Sequence, residues 1–200
     1  MARPRSFDTD QAIEKAMQVF WTHGYEGASL PDLLTGMGLT RGSLYKAFTD
    51  KKSLFLEVLD FYEGKAVKAG VDMLTDPTIP DGADRIMGLF TNSYRAVTAG
   101  DRRGCLLCTA AAGPSMYDDE IAAAVSQGLG TLRDGIDEAL RSSPKHQSMS
   151  DEERGALADM LIAQYVGLRT MARARIDTDT LRNAVRSVGV ILAWSIGPTI

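Results

Sequence analysis

The sequence is poor in the residues that build metal and thiol chemistry, with two cysteines and two histidines among 200 residues. A disulfide scaffold needs more cysteines than that. Cys105, Cys108, His23 and His146 cannot make a four-ligand zinc site without carboxylates, so neither a metal nor a cofactor is expected. No apolar run is long enough to cross a bilayer, and no membrane partner is expected. The polar stretch Met1 to Asp10 carries Arg3 and Arg5, and no apolar stretch follows it. A signal peptide is therefore not expected, and a cytoplasmic location is. The alternating patterns that mark strands are nearly absent, and there is no internal repeat or low-complexity tract. Positive charge is not in excess either: Lys and Arg number 22 against 26 Asp and Glu, a net charge of −4.

That total does not announce a nucleic-acid binder, but its distribution is uneven. Residues 1–55 hold seven Lys and Arg against six acids, and the remainder holds 15 against 20. The arrangement fits a small, near-neutral head on an acidic body, with 1–50 as head and 51–200 as body.

What is present is helical periodicity nearly throughout, which predicts an all-α fold of about nine helices. Asp8 or Thr9 starts the first helix. Its stripe is Ile13, Ala16, Met17 and Phe20, and it ends at His23-Gly24, where glycine can take positive φ. Ser29 caps a second helix with Leu30, Leu33, Leu34 and Met37 on one face. Gly36 to Gly38 ends it. Thr40 caps a short third helix to Phe48, with Leu39 and Leu44 placed as a hydrophobic staple. A fourth helix runs from Asp50-Lys51 past Val67 toward Leu74, and the two prolines of 76–81 make a linker. Further helices are expected at about 82–98, 104–112, 117–141, 151–174 and 178–195. The polar segment Ser142 to Ser150 reads as a mobile loop.

Residues 29–48 carry the functional signal: two short amphipathic helices around a glycine-containing turn. In a helix-turn-helix the second helix lies in the major groove and the first crosses the backbone. Leu44, Ala47 and Phe48 fall on the buried side of that second helix, and Arg41, Gly42, Tyr45 and Lys46 on the other. Gly42 permits close approach to the groove wall. Arg41 and Lys46 can neutralise phosphates or read guanine, and the Tyr45 hydroxyl can donate to a phosphate. The helix starts at Ser29, Thr40 and Lys51 offer backbone N–H groups to phosphates.

The ordered run of Phe20, Gly24-Tyr25, Ser29, Leu33, Gly38-Leu39-Thr40, Gly42-Ser43-Leu44-Tyr45-Lys46-Ala47-Phe48, Lys51 and Leu54 resembles the tetracycline-repressor (TetR) family of bacterial regulators. The resemblance covers about the first quarter of the chain. It implies that three helices bind double-stranded operator DNA and that the fourth leads to a helical domain that dimerises and holds a ligand pocket. By position it implies Ser29, Arg41, Gly42, Ser43, Tyr45, Lys46 and Lys51 as DNA contacts. Leu34 and Leu39 stand where members commonly have Ala and often Val. Both changes stay apolar.

In the body, the final helix places Leu181, Val185, Val188 and Leu192 in one stripe. The preceding helix has Leu157, Leu161 and Leu168, with Ala163 and Gly167 between. The family packs its last two helices into a four-helix dimer interface, which makes Leu161, Gly167, Leu181, Val185, Val188 and Leu192 candidates for a homodimer contact. The other reading is that these stripes fill the monomer core. A two-fold dimer predicts a palindromic operator.

The segment Gly104-Cys105-Leu106-Leu107-Cys108 resembles a subgroup in which some members sense electrophiles or oxidants through a cysteine here. A thiol at a helix start beside Arg102 and Arg103 has a stabilised thiolate. Alternatively Cys105 and Cys108 are small buried hydrophobes. Met87, Phe90, Met116, Tyr117, Tyr165, Arg169 and Met171 mix apolar bulk with polar tips, as a pocket for an unknown small-molecule effector would. His23 reads as structural and His146 as solvated. A thiol-dependent enzyme using Cys105 would need a base beside it, and the histidines fall in the head and in a loop. A helical interaction module is the remaining class, disfavoured by the presence of Arg41 and Lys46. An Arg3/Arg5 arm reaches the minor groove or is simply a tail.

Overall fold

A computed structural model describes residues 8–193. The Arg3/Arg5 arm and residues 194–195 of the expected last helix lie outside the described residues. Among those described, every regular element is helical: α1 (Thr9–Gly27), α2 (Leu30–Met37), α3 (Arg41–Ala47), α4 (Lys51–Tyr62), α5 (Lys68–Leu74), α6 (Gly82–Thr98), α7 (Leu106–Ala111), α8 (Asp119–Arg141), α9 (Asp151–Arg173) and α10 (Thr178–Ala193). The α4 and α5 segments form one rod, joined by a π-helical turn at Glu63–Val67. Counting that rod as one gives the nine helices expected.

The helix starts follow from side chains that satisfy the otherwise unpaired first-turn N–H groups. Asp8 accepts from the amides of Asp10 and Gln11. Ser29 with Asp32, and Asp50 with Ser53, form reciprocal capping boxes. Thr40 accepts from the Ser43 amide at 3.2 Å. The α1 helix breaks at Gly24, whose φ of 73° and ψ of 171° a side chain would resist. The left-handed Gly38 ends α2 and turns the chain into α3.

The π turn explains the apolar register of the rod. Buried positions run Leu54, Val58 and Tyr62 at intervals of four, then jump five to Val67 before Gly70 and Leu74. An unbroken α-helix would rotate Val67 off that stripe. The wider turn absorbs the extra residue and keeps one face inward.

The head is built on α1, which packs against both α2 and α4. Phe20 is fully buried and meets Phe55 at 4.8 Å, and Tyr25 meets the same ring at 4.8 Å. In the body α8 packs along α9, and α10 lies against α6 and α9. The start of α6 is wedged against the end of α8: a Cβ on Gly82 would stand 1.6 Å from the Ala139 carbonyl oxygen.

Two expectations change. Leu161, Leu181, Val185, Val188 and Leu192 are buried within the single protomer. They belong to its own core, so a partner cannot be what covers them; Gly167 is half-buried. The large apolar residues that α9 and α10 leave outward are Met160 and Val190. An open cleft of about 490 Å³ between α8 and α9 is lined by Leu129, Gly130, Ile162, Ala163 and Val166 with Ser126 and Arg133. The second change is the segment 142–150. Its polar composition suggests a solvated loop, but Ser143 and His146 are buried and successive turns pin it. The imidazole Nδ1 lies 3.0 Å from the Ser143 hydroxyl.

Candidate nucleic-acid interface

The third helix has the two faces its sequence implies. Leu44 and Phe48 are buried and Ala47 is half-buried, while Arg41, Gly42, Tyr45 and Lys46 are exposed. Tyr45 is 46% exposed, so its ring and hydroxyl face outward. The Arg41 guanidinium stands 5.8 Å from the centroid of that ring, so a cation and a phenol share one outward ridge. A Cβ on Gly42 would meet nothing within 4 Å in the protein, which leaves the space outside α3 free for a ligand surface.

The flanking candidates divide. Ser29 and Thr40 are exposed, but their hydroxyls are engaged as caps. What they present outward is the positive end of a helix. The Ser43 hydroxyl lies 3.0 Å from that of Thr40. Lys51 is turned back onto the head: its ammonium donates to the Glu26 carbonyl at 3.4 Å and sits 4.7 Å from the Tyr25 ring centre. Burial lowers its pKa. Its neighbour Lys52, which the sequence reading did not single out, pairs with Asp118 at 2.7 Å and with Glu120, tying the start of α4 to the start of α8.

A second constellation lies inside the body, beside the head. Cys105 and Cys108 are free thiols and both are buried. Tyr62 from α4 donates its hydroxyl to Cys105 Sγ at 3.4 Å. A hydrogen bond from the Cys108 thiol, then the one from Tyr62, outweigh burial and draw the Cys105 pKa down to about 6. The nearby Arg169 charge acts in the same direction. Cys108 is pushed up, first by its hydrogen bond to Cys105 and then by burial. Cys105 is therefore the more readily ionised of the two, although neither cysteine is exposed. Arg169 donates through Nη2 to the Gly104 carbonyl, and its Nε is buried without a partner.

The other pocket candidates separate. Phe90 and Tyr165 are buried together, edge to face at 5.8 Å. Met87, Met116 and Met171 are half-buried against the core. Tyr117 is a correction: it lies on a single 3₁₀ turn at Pro114–Tyr117 and is 93% exposed, so it lines no interior site. His23 is exposed at the end of the first run of α1. The described residues contain no cluster of metal-ligating side chains and no helix long and apolar enough to cross a membrane.

Sequence reasoning missed Trp21, Tyr62 and Arg173, and gave Arg103 a different role, beside the Cys105 thiol. The Arg103 guanidinium lies 4.3 Å from the Trp21 ring centre, and Trp21 meets Tyr62 edge to face at 5.2 Å. Arg173 donates to backbone carbonyls of α1. These partners lie far apart in sequence, and no local pattern announces them.

Residues 12–58 match the family described as bacterial regulatory proteins, tetR family. The uncharacterized HTH-type transcriptional regulator YezE of Bacillus subtilis (strain 168) is 30% identical over 189 residues, covering 92% of this chain and 96% of that protein. The HTH-type transcriptional repressor ComR of Escherichia coli (strain K12) is 52% identical over 60 residues, 30% of this chain and 29% of its own. A cysteine mutant of the TetR family transcriptional regulator CifR, solved with 26-bp double-strand operator DNA, superposes with a TM-score of 0.82 at 31% identity. That likeness covers 96% of this chain and 100% of the other. With similarity running through head and body alike, the chain belongs to the TetR family of bacterial regulatory proteins.

Proposed function

We propose that this protein is a ligand-responsive transcriptional repressor. It binds a palindromic operator as a homodimer through a head of residues 1–50, and a body of residues 51–200 dimerises and receives the signal. The observation that carries the reading is the outward face of α3, where Arg41, Gly42, Tyr45 and Lys46 are exposed beside the α2–α3 turn while Leu44 and Phe48 anchor the helix. The operator complex of CifR and the repressor ComR support it. In this reading Ser29, Thr40 and Ser43 present helix ends to phosphates, and Lys51 contributes positive potential from behind the contact surface. The outward apolar residues of α8, α9 and α10, together with the cleft between α8 and α9, are the surface that suits a second copy.

Release follows when a small molecule, or a modification of Cys105, favours a body conformation that spaces the two heads wrongly. The lowered thiol pKa and the contact with Tyr62, a residue of the rod that leads from the head, favour the cysteine route. No histidine is among the groups that perturb Cys105, which supports a regulator over a thiol-dependent enzyme. A regulator of bacterial genes of this kind works in the cytoplasm.

The test is binding of the purified protein to DNA upstream of its own gene, with and without Tyr45→Ala, and before and after a thiol-alkylating reagent. Saturable, salt-sensitive binding that Tyr45→Ala abolishes is the expected result. A folded dimer with no sequence preference refutes the reading. Release by the reagent, blocked in Cys105→Ser, assigns the signal to that thiol. Release that persists in Cys105→Ser removes it.

A further inference from the structure

α9 presents Arg169 and Arg173 one turn apart, on the side facing the segment that leads into Cys105. Arg169 Nη2 donates to the Gly104 carbonyl, and Arg173 Nη1 donates to the Arg103 carbonyl at 3.2 Å. Two consecutive carbonyls are thus each held by a guanidinium. The fit is close, because a Cβ on Gly104 would stand 2.7 Å from the Arg169 carbonyl oxygen.

Arg173 also reaches out of the body. Its Nη1 donates to the Trp21 carbonyl at 2.8 Å and its Nη2 to the Thr22 carbonyl at 3.3 Å. These carbonyls stand in the last turn of α1 before the break at Gly24, at the negative end of that helical run. Arg173 makes no ion pair among the described residues. Its charge and its planar fork are directed at backbone carbonyls instead. Arg103 completes the clasp, lying over the Trp21 ring and donating to the Gln18 side chain, while Asp101 holds it at 2.7 Å. α1 is the helix on which α2 packs, and α2 turns directly into α3. α1 is packed on α4 and α7, and the Arg173 bonds add a tie from α9, so a change in that tie shifts where α3 points.

We propose that Arg173 is a positioning residue for operator recognition: it sets the angle of the head on the body, and so the half-site separation that the dimer accepts. The inference rests on the dimeric DNA-binding reading above. Three carbonyls from two segments meet on one guanidinium, so a shift of the Cys105 segment reaches α1 without a contact to DNA.

The experiment selects a preferred operator from random DNA with the wild-type protein. It then measures affinity on a series in which only the spacer between half-sites changes. Wild type is expected to prefer one spacing by at least about fivefold over a spacing altered by two base pairs. Arg173→Met keeps the apolar stem but removes the fork. It is expected to flatten that preference to less than about twofold while the base preference within each half-site is unchanged. Arg173→Lys keeps the cation without the fork and should fall between the two. Thermal unfolding at matched concentration checks that each variant folds. If Arg173→Met does not fold, Arg173→Lys carries the test. A wild-type spacing profile in the folded variant overturns the inference. So does a wild-type protein that binds selectively but shows no spacing preference. A wild-type protein that selects no sequence overturns the DNA-binding reading, and the inference with it.

Discussion

Gly100 and Gly104 offer a controlled pair for testing how tightly the Cys105 segment is held. Both have positive φ, 96° and 76°, so alanine at either position is strained in its backbone. That strain costs about 1–2 kcal/mol. They differ in surroundings: a Cβ on Gly100 meets nothing within 4 Å, whereas one on Gly104 would stand 2.7 Å from the Arg169 carbonyl oxygen and 3.4 Å from Arg173 Cβ. The carbonyl belongs to the α9 backbone and cannot swing aside, so the segment must lift from the helix. Overpacking of this kind costs a further 1–3 kcal/mol or so. The expected loss is therefore about 1–2 kcal/mol for Gly100→Ala and about 2–5 kcal/mol for Gly104→Ala. At roughly 2–4 °C per kcal/mol for a chain of this size, thermal unfolding separates the two variants. Protein concentration must be matched, because dimerisation contributes to apparent stability. Equal losses in the two variants would show that the contact with α9 contributes nothing, and the argument for a tightly held segment would fail.

Two further outcomes are expected. Lys46→Ala should weaken DNA binding across sequences and reduce the slope of log affinity against log salt by about one, which salt titrations measure; an unchanged slope removes Lys46 from the phosphate contacts. His146 has its pKa lowered, by burial first and then by Lys145, against the opposing pull of Asp81 and the Leu192 carbonyl. The unfolded chain then takes up the proton more readily, so stability is intact above the ordinary histidine range and falls as pH drops through it. Denaturant unfolding between about pH 7 and 5 should show that loss, and His146→Gln should remove the histidine part of the slope.

The head was legible because its signals are local. Leu44 and Phe48 lie four apart on a helix whose cap, Thr40, stands just before it, and that spacing alone turns Tyr45 outward. The stripe of α10 was legible as a stripe, but not its neighbour. Leu181, Val185, Val188 and Leu192 would read the same whether α6 and α9 or a second copy covered them, and burial in the protomer decided it. His146 misled because composition reports the average of a segment, whereas two turns are enough to fold one side chain inward. The cluster of Tyr62, Cys105 and Arg169 joins three helical regions, and nothing within a few residues of any member records the other two.

The π turn between α4 and α5 bears on how such a chain can change. A residue added to or removed from a helix rotates everything beyond it by about 100° and shifts it by about 1.5 Å. The rod from Lys51 to Leu74 already contains one such increment, at Glu63–Val67. Deleting a single residue there would restore an ordinary helix and place Val67 four positions after Tyr62, so Val67, Gly70 and Leu74 would stay on the stripe of Leu54, Val58 and Tyr62. The turn is therefore the one stretch of the rod where losing a residue leaves the phase between reader and receiver unchanged. A one-codon deletion in the α-helical parts of the rod would instead rotate the head by about 100°, an amount that no substitution on α3 could undo.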